Sequence, residues 1–291
     1  MTAVHGSDAS IGELNPTVFM RKLMLELALG DVRLPSFPDI AARVQKVLED
    51  PKATSARVAV VVRSEAALAA RILRLANSSL LNISGEPIND LRVALTRLGV
   101  QLVRCTAVSF ALQQMQLGGS DRALRSQLHE LWRDGTLVAS IAYVLARETK
   151  VANPDEALLT GLMHNIGRLY IAVNVPRGAQ AIANSEEWTT TVNEWHPQIA
   201  VAILKHWKFP ASIATAVANQ TSQDRETDEK LSDILITAIL LVPCIFKREA
   251  LSEIAAEAPA LQRLKLNAAD CNRILVASAE QIRSLRAGLS D

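Results

Sequence analysis

The amino-acid sequence predicts an all-α protein, and three observations carry that prediction. Apolar residues make up 49% of the 291 residues but aromatics only 4%, so the core is drawn from Leu, Ile, Val and Ala, a mixture that favours helices. From about residue 16 onward, apolar positions return at spacings of three and four, and the strict alternation of half-buried strands is missing. The breaks between these periodic stretches carry Gly, Pro and capping residues.

Residues 1 to 15 are small and polar without periodicity and are expected to be a mobile N-terminus. A first helix is predicted over about 17 to 29, closing at Gly30. The two prolines of "LPSFP", 34 to 38, exclude helix there, and the second opens a helix over about 39 to 50. Thr54 and Ser64 are expected N-caps for the next two, the second carrying "AALAARILRLANSSLL". Helices near 88 to 98 and 100 to 116 follow, separated by Gly99.

"LGGSD", 117 to 121, is the clearest break, and the longest helix follows it, over about 121 to 149. Asn153, Pro154 and Glu156 then supply an N-cap, a proline at the first helical position and a capping-box acid for a helix that runs through "GLMHNIGRLY". Further helices are predicted from Pro197, from near Pro210, and three or four more over about 228 to 289. The reading is of an N-terminal half over 16–118, a second half over 119–225, and C-terminal helices over 226–291 that complete the second half.

Charge excludes bulk electrostatic binders. The net charge is +1; residues 1 to 120 hold 13 basic against 10 acidic residues, and the rest 18 against 20, with no run of five like charges. The longest apolar stretch, "ILITAILLVPCIF", is too short for a bilayer and is broken by Pro243, and the start lacks a basic-then-apolar leader, so a cytoplasmic protein is expected. Cys105, Cys244 and Cys271 match neither a zinc site nor a disulfide framework and read as buried thiols.

Four polar residues stand out. On a continuous helix Leu158, Gly161, Leu162, Asn165 and Leu169 share one face, which puts Asn165 in the buried stripe and His164 at its edge, beside Ala157, Gly161 and Arg168. Taken alone, Asn165 fits a core amide as well as a pocket residue. Asp134 flanks the stripe of the long helix and reads as partly exposed beside an arginine such as Arg133 or Arg168. His196 precedes Pro197, where a helix start is expected, and taken alone reads as a surface or capping residue.

"LPSFP", "SEAALAARILRLANSS", "ALTRLGVQLVR", "LW" before a long helix, "EALLTGLMHNIGRLY" and "HPQIAVAILKHWKFP" occur in an order and spacing that resembles the HDOD domain family over roughly residues 20 to 225. The resemblance implies a bundle of short N-terminal helices packed on an HD-like helical half. It also implies a relationship to the HD phosphohydrolases, whose metal site uses a His, an adjacent His-Asp pair and a further Asp on separate helices.

Carried over position by position, the first His of the pattern Leu-Trp-Arg-His is Asp134 here, the pair is His164 and Asn165, and a further histidine of related proteins matches His196. A His-His pair common after the W-x-x-P segment is Asn219 and Gln220, and the last Asp aligns with "LITAILLVP", which offers no acid. An amide in place of a carboxylate keeps the shape but removes a full negative charge from a would-be metal shell.

HDOD domains are mostly regulatory and accompany bacterial signalling modules, so the resemblance implies a non-catalytic module with no cofactor or metal that binds signalling proteins. Arg63, Arg71, Arg74, Arg92, Arg97 and Arg104 are its candidate interaction surface; solvated faces account for them as well. The alternative is a metal-dependent phosphohydrolase acting on a cyclic nucleotide or other phosphoester, with Asp134, His164 and His196 as ligands. Nucleic-acid binding rests on the arginines alone, without interleaved aromatics. Self-association stays open.

Overall fold

Local signals set most of the helix boundaries. The computed structural model describes residues 15–29, 39–48, 50, 52–79, 81–82, 84–117, 122–176, 185–207, 209–222, 229–247 and 258–290. The expected N-terminal tail up to 14, the "LPSFP" segment and nearly all of "LGGSD" lie outside them.

The helices of the first half are α1 (Pro16–Leu29), α2 (Asp39–Leu48), α3 (Ser55–Arg63), α4 (Ala66–Ala76) and α5 (Leu91–Leu117). Thr54 caps α3 as expected, its side chain accepting from the Arg57 N–H. Ser64 does not cap α4. Its hydroxyl donates 2.7 Å to the Val61 carbonyl at the end of α3, and Glu65 opens α4 without a side-chain cap. The orphan carbonyls of α3 claim the serine because they lie one turn behind it. α5 is broken at Gly99, which holds a left-handed φ of 71° where a Cβ would be strained, so the two helices expected around it are joined by a bend. Among the described residues only the stretch Leu91–Ala111 has the length and hydropathy of a membrane span, and this bend and its packing on α2, α3, α4 and α7 make it a core element.

"LRLANSS" has a structural role. Asn77, at the end of α4, donates 2.8 Å to the Ile88 carbonyl and accepts 2.8 Å from the Ile88 N–H, as a neighbouring strand would. Asn82 donates to the Glu86 carbonyl and accepts from Arg97 at 2.8 Å. Two amides thus fold the connection between α4 and α5 onto itself.

The second half holds α6 (Arg122–Thr149), α7 (Pro154–Met163), α8 (Ile166–Asn174), α9 (Glu186–His206) and α10 (Ala211–Ala218), followed by α11 (Lys230–Lys247), α12 (Pro259–Arg263), α13 (Ala268–Ala277) and α14 (Ala279–Ser290). Asn153 caps α7, accepting from the N–H groups of Asp155 and Glu156, with Pro154 in its first turn. The Glu156 carboxylate does not close a capping box; it accepts from the Ser212 hydroxyl and so ties α7 to α10. Pro197 does not open a helix. The element starts eleven residues earlier, where the Ser185 side chain accepts from the Trp188 N–H and Glu186 and Glu187 occupy the first turn, and it runs through the proline at the loss of one backbone bond.

The two halves exchange their ends. α1 packs on α9, with the Phe19 and Trp188 ring centroids 5.5 Å apart. α11 packs on α6, α7 and α10, but α14 reaches past α6 to α4 and α5, where the Ser109 hydroxyl donates 2.9 Å to the Leu289 carbonyl and Gly288 lies against Leu75. The last helix therefore bridges the halves rather than only completing the second.

Asp233, in the first turn of α11, is fully buried, and Arg263 of α12 donates 2.8 Å to its carboxylate. Removing one member of such a pair strands the other charge. Asp233→Ala is expected to lower stability by about 3–5 kcal/mol in urea denaturation, and Asp233→Leu combined with Arg263→Met to recover most of that loss.

Candidate functional site

The polar stretch at 161 to 170 lies at the centre of the second half. α7 packs along α6 more extensively than any other pair, and Gly161 is the reason: a Cβ there would stand 2.4 Å from the Ala139 Cα. Gly167 plays the same part between α8 and α9, where a Cβ would stand 2.0 Å from the His196 carbonyl oxygen. Two missing side chains thus bring α6, α7, α8 and α9 to backbone contact around His164 and Asn165.

The expected continuous helix does not form. It breaks at these two residues, which end α7 and begin α8. His164 Nδ1 donates 2.6 Å to the Gly161 carbonyl three residues back, satisfying an acceptor that the helix end leaves open. The carbonyl of His164 accepts 3.1 Å from the Gln220 amide, which also donates to Val217. Gln220 is buried, and it locks α10 to the break.

Each residue singled out in the sequence has a definite place. His164 is 5% exposed and Asn165 8%; the Asn165 side chain does not cap α8. His196 is 2% exposed in the middle of α9, neither a surface residue nor a helix cap, and its Nδ1 is buried without a hydrogen-bond partner. Asp134 is partly exposed: its side chain is 43% exposed and lies 3.6 Å from Arg133. Arg168, half-buried in the first turn of α8, acts electrostatically on both imidazoles. The sequence placed it only as a neighbour, and its position four residues after His164, beside Gly167, is the signal that marks it.

Burial holds both rings neutral. It pushes His164 from 6.5 down to about 4, against the opposing bond to Gly161 and with help from the Arg168 charge. It pushes His196 to about 2, with Arg168 and then His164 adding to the effect. Burial also lowers the pKa of Arg168. With Nδ1–H donated to a carbonyl, neutral His164 keeps its lone pair on Nε2, the form a metal ligand needs. Partners for a cation are lacking, however. Among the described residues no three of His, Cys, Asp and Glu are placed to share a metal, the amide of Asn165 carries no charge, and the side-chain charge that acts on both rings is positive. The residues present do not fit a hard divalent ion.

The arginines named as an interaction surface separate into two groups. Arg63, Arg74, Arg92 and Arg97 are exposed, and Arg104 is half-buried with its Nε lacking a partner. Arg71 is 2% exposed; it donates to Gln113 and lies over the Phe110 ring at 5.4 Å, so it belongs to the core and not to a surface. Arg92 and Arg97 line an open groove of about 570 Å³ with Ser55, Asp90, Val93 and Thr96.

The HDOD domain model matches residues 34–223. No curated protein matches the chain. Three of the solved structures that share its fold illustrate the likeness. A protein from Shewanella amazonensis SB2B, named "Putative metal-dependent phosphohydrolase", is 24% identical over 95% of this chain and 100% of its own, with a TM-score of 0.76. An HDOD domain protein of unknown function from Geobacter sulfurreducens is 22% identical over 94% and 97%, with a TM-score of 0.69. A "Putative signal transduction protein" from Marinobacter aquaeolei VT8 is 21% identical over 98% and 69%, with a TM-score of 0.63.

The histidine environments make stability depend on pH. Both folded pKa values lie below 6.5, so between about 6.5 and 4 the unfolded chain binds protons that the native state excludes. Stability from this source is complete above about pH 6.5 and is lost as pH falls, by roughly 2 kcal/mol for each ring at pH 5. Denaturation at pH 7 and pH 5 is expected to show that fall, and NMR titration to show both rings neutral down to pH 5. Gly161→Ala drives a methyl into backbone and is expected to cost about 3 kcal/mol or more, without rescue by Ala139→Gly, because the nearest atom is the Ala139 Cα.

Proposed function

This chain belongs to the HDOD domain family, and from that premise we propose that it is a non-catalytic signal-transduction module that works by binding other proteins. The observation that carries the reading is the chemistry of the turn between α7 and α8. The Nδ1 of His164 is engaged by Gly161, Asn165 brings no charge, Asp134 points to solvent beside Arg133, and Arg168 adds a positive charge where metal activation of water needs anionic ligands. The acid on α11, Asp233, is engaged with Arg263.

The binding surface is proposed on the first half, where Arg63, Arg74, Arg92 and Arg97 are exposed together with Val60, Val93 and Val100 at 69%, 53% and 49%. Exposed valines among arginines suit a partner that offers apolar side chains flanked by acids. Signalling proteins of the same cell are the partner class.

The alternative, metal-dependent hydrolysis of a phosphoester, differs in its metal. Protein purified without chelator is expected to contain only substoichiometric Mn, Fe, Ni and Zn and to hydrolyse neither cyclic nucleotides nor phosphomonoesters when metal is added. A stoichiometric metal with sustained turnover would overturn the proposal. Arg63→Glu, Arg74→Glu and Arg92→Glu combined are expected to abolish capture of the partner by the tagged chain while leaving thermal stability almost unchanged, since exposed substitutions act within about 0.5 kcal/mol each.

A further inference from the structure

The first helix, α1, is apolar on two opposite faces. One face carries Phe19, Met20 and Leu23, which are buried, and α1 packs on α9. On the other, Val18, Leu25 and Leu29 are 63%, 61% and 71% exposed, where a helix at the surface of a bundle ordinarily carries polar residues. Exposed apolar residues scattered singly are common, but these three are aligned. With Lys22 they recur at spacings of four, three and four, and at 100° per residue all four positions fall within about 60° of arc. A narrow stripe with that spacing is the seam by which one helix of a coiled coil meets another. The exposure of its three apolar members shows that no described helix of this chain covers it.

We propose that this stripe docks on the same stripe of a second copy of the chain, forming a two-fold dimer in which the two α1 helices run antiparallel. The occupant follows from the way the stripe complements itself. With the two-fold axis passing between Leu23 and Met24, Val18 meets the partner's Leu29 and Lys22 meets the partner's Leu25. Lys22 then lays its methylene stem over that leucine and carries its ammonium to the partner's Glu26, which stands on the same flank of the seam. Within one helix Lys22 and Glu26 are 4.0 Å apart and exposed, so pairing joins two such ion pairs into a cluster of four charges with alternating signs. A parallel arrangement sets Lys22 against the partner's Lys22 in the seam, where like charges repel. Two fourteen-residue helices bury less than the roughly 1,200 Å² of a standard interface, so the dimer is a weak one and its population depends on concentration. Two-fold pairing gives one particle two copies of any surface the module offers to a partner.

The test is sedimentation of the full-length chain at concentrations rising to about 500 μM, where an interface below standard size becomes populated. An equilibrium between monomer and dimer is expected. Leu25→Glu is expected to raise the dissociation constant by about tenfold or more, with the thermal midpoint unchanged because the side chain is exposed. Lys22→Glu is expected to weaken the dimer and Lys22→Glu combined with Glu26→Lys to restore it, a rescue that unspecific apolar clustering does not give. Mild oxidation of a mixture of Val18→Cys and Leu29→Cys chains is expected to yield a disulfide-linked dimer. Val18→Cys alone is expected to stay unlinked, since eleven residues of helix, about 16 Å, separate the two copies of that position. Cys105, Cys244 and Cys271 are buried or half-buried, and the wild-type chain measures their background. A chain that stays monomeric at the highest concentration overturns the proposal, whether a different protein or another part of the chain covers the stripe. So does a dimer that Leu25→Glu leaves intact, a charge exchange that fails to restore association, a Val18→Cys chain that links to itself, or growth beyond two copies.

Discussion

The contact of helix backbones at Gly161 and Gly167 is the constraint on which the rest of the second half depends. Ordinary side chains hold helix axes 8–10 Å apart, and glycine lets them come closer. Here one glycine admits the Ala139 Cα of α6 and the other admits the His196 carbonyl of α9. Between these contacts the helix breaks at His164 and Asn165. The break buries polar backbone, and two side chains satisfy it: the His164 ring takes the Gly161 carbonyl, and Gln220 takes the carbonyl of His164.

That arrangement gives the polar residues of the turn a part in the fold that needs no metal. Once His164 and Gln220 complete the hydrogen bonding of a buried turn, their replacement destabilises the fold whether or not a metal is ever bound. Charge, by contrast, is free to change. Asn165 keeps the volume of an aspartate without its charge, and Arg168 sets the sign of the field at both imidazoles. Burial and that field act together on the rings, so the neutral forms dominate at physiological pH.

The first half uses amides for structure rather than chemistry. Asn77 pairs with both backbone groups of Ile88, and Asn82 gathers Glu86 and Arg97, so the connection after α4 has a fixed path. Arg71 shows why a list of arginines is not a surface: its guanidinium covers Phe110 inside the bundle, and Arg63, Arg74, Arg92 and Arg97 stand outside it. With α1 resting on α9 and α14 returning to α4 and α5, neither half closes its core alone.

By itself the sequence determined the all-helical class, the caps at Thr54 and Asn153, the break at Gly99 and the family, because caps, breakers and three-four periodicity act over a few neighbouring residues. It also identified His164, Asn165, Asp134 and His196 as the positions to compare with a metal site. Only the tertiary structure decided that Ser64 closes α3, that Pro197 sits inside a helix, that His196 is core, that Asp134 is partly exposed beside Arg133, and that the charge of Arg168 acts on both histidines. Those outcomes turn on which helices approach closely enough to exclude water and on which orphan backbone group lies nearest to a side chain. Both are distances between segments remote in the chain, and no local pattern encodes them.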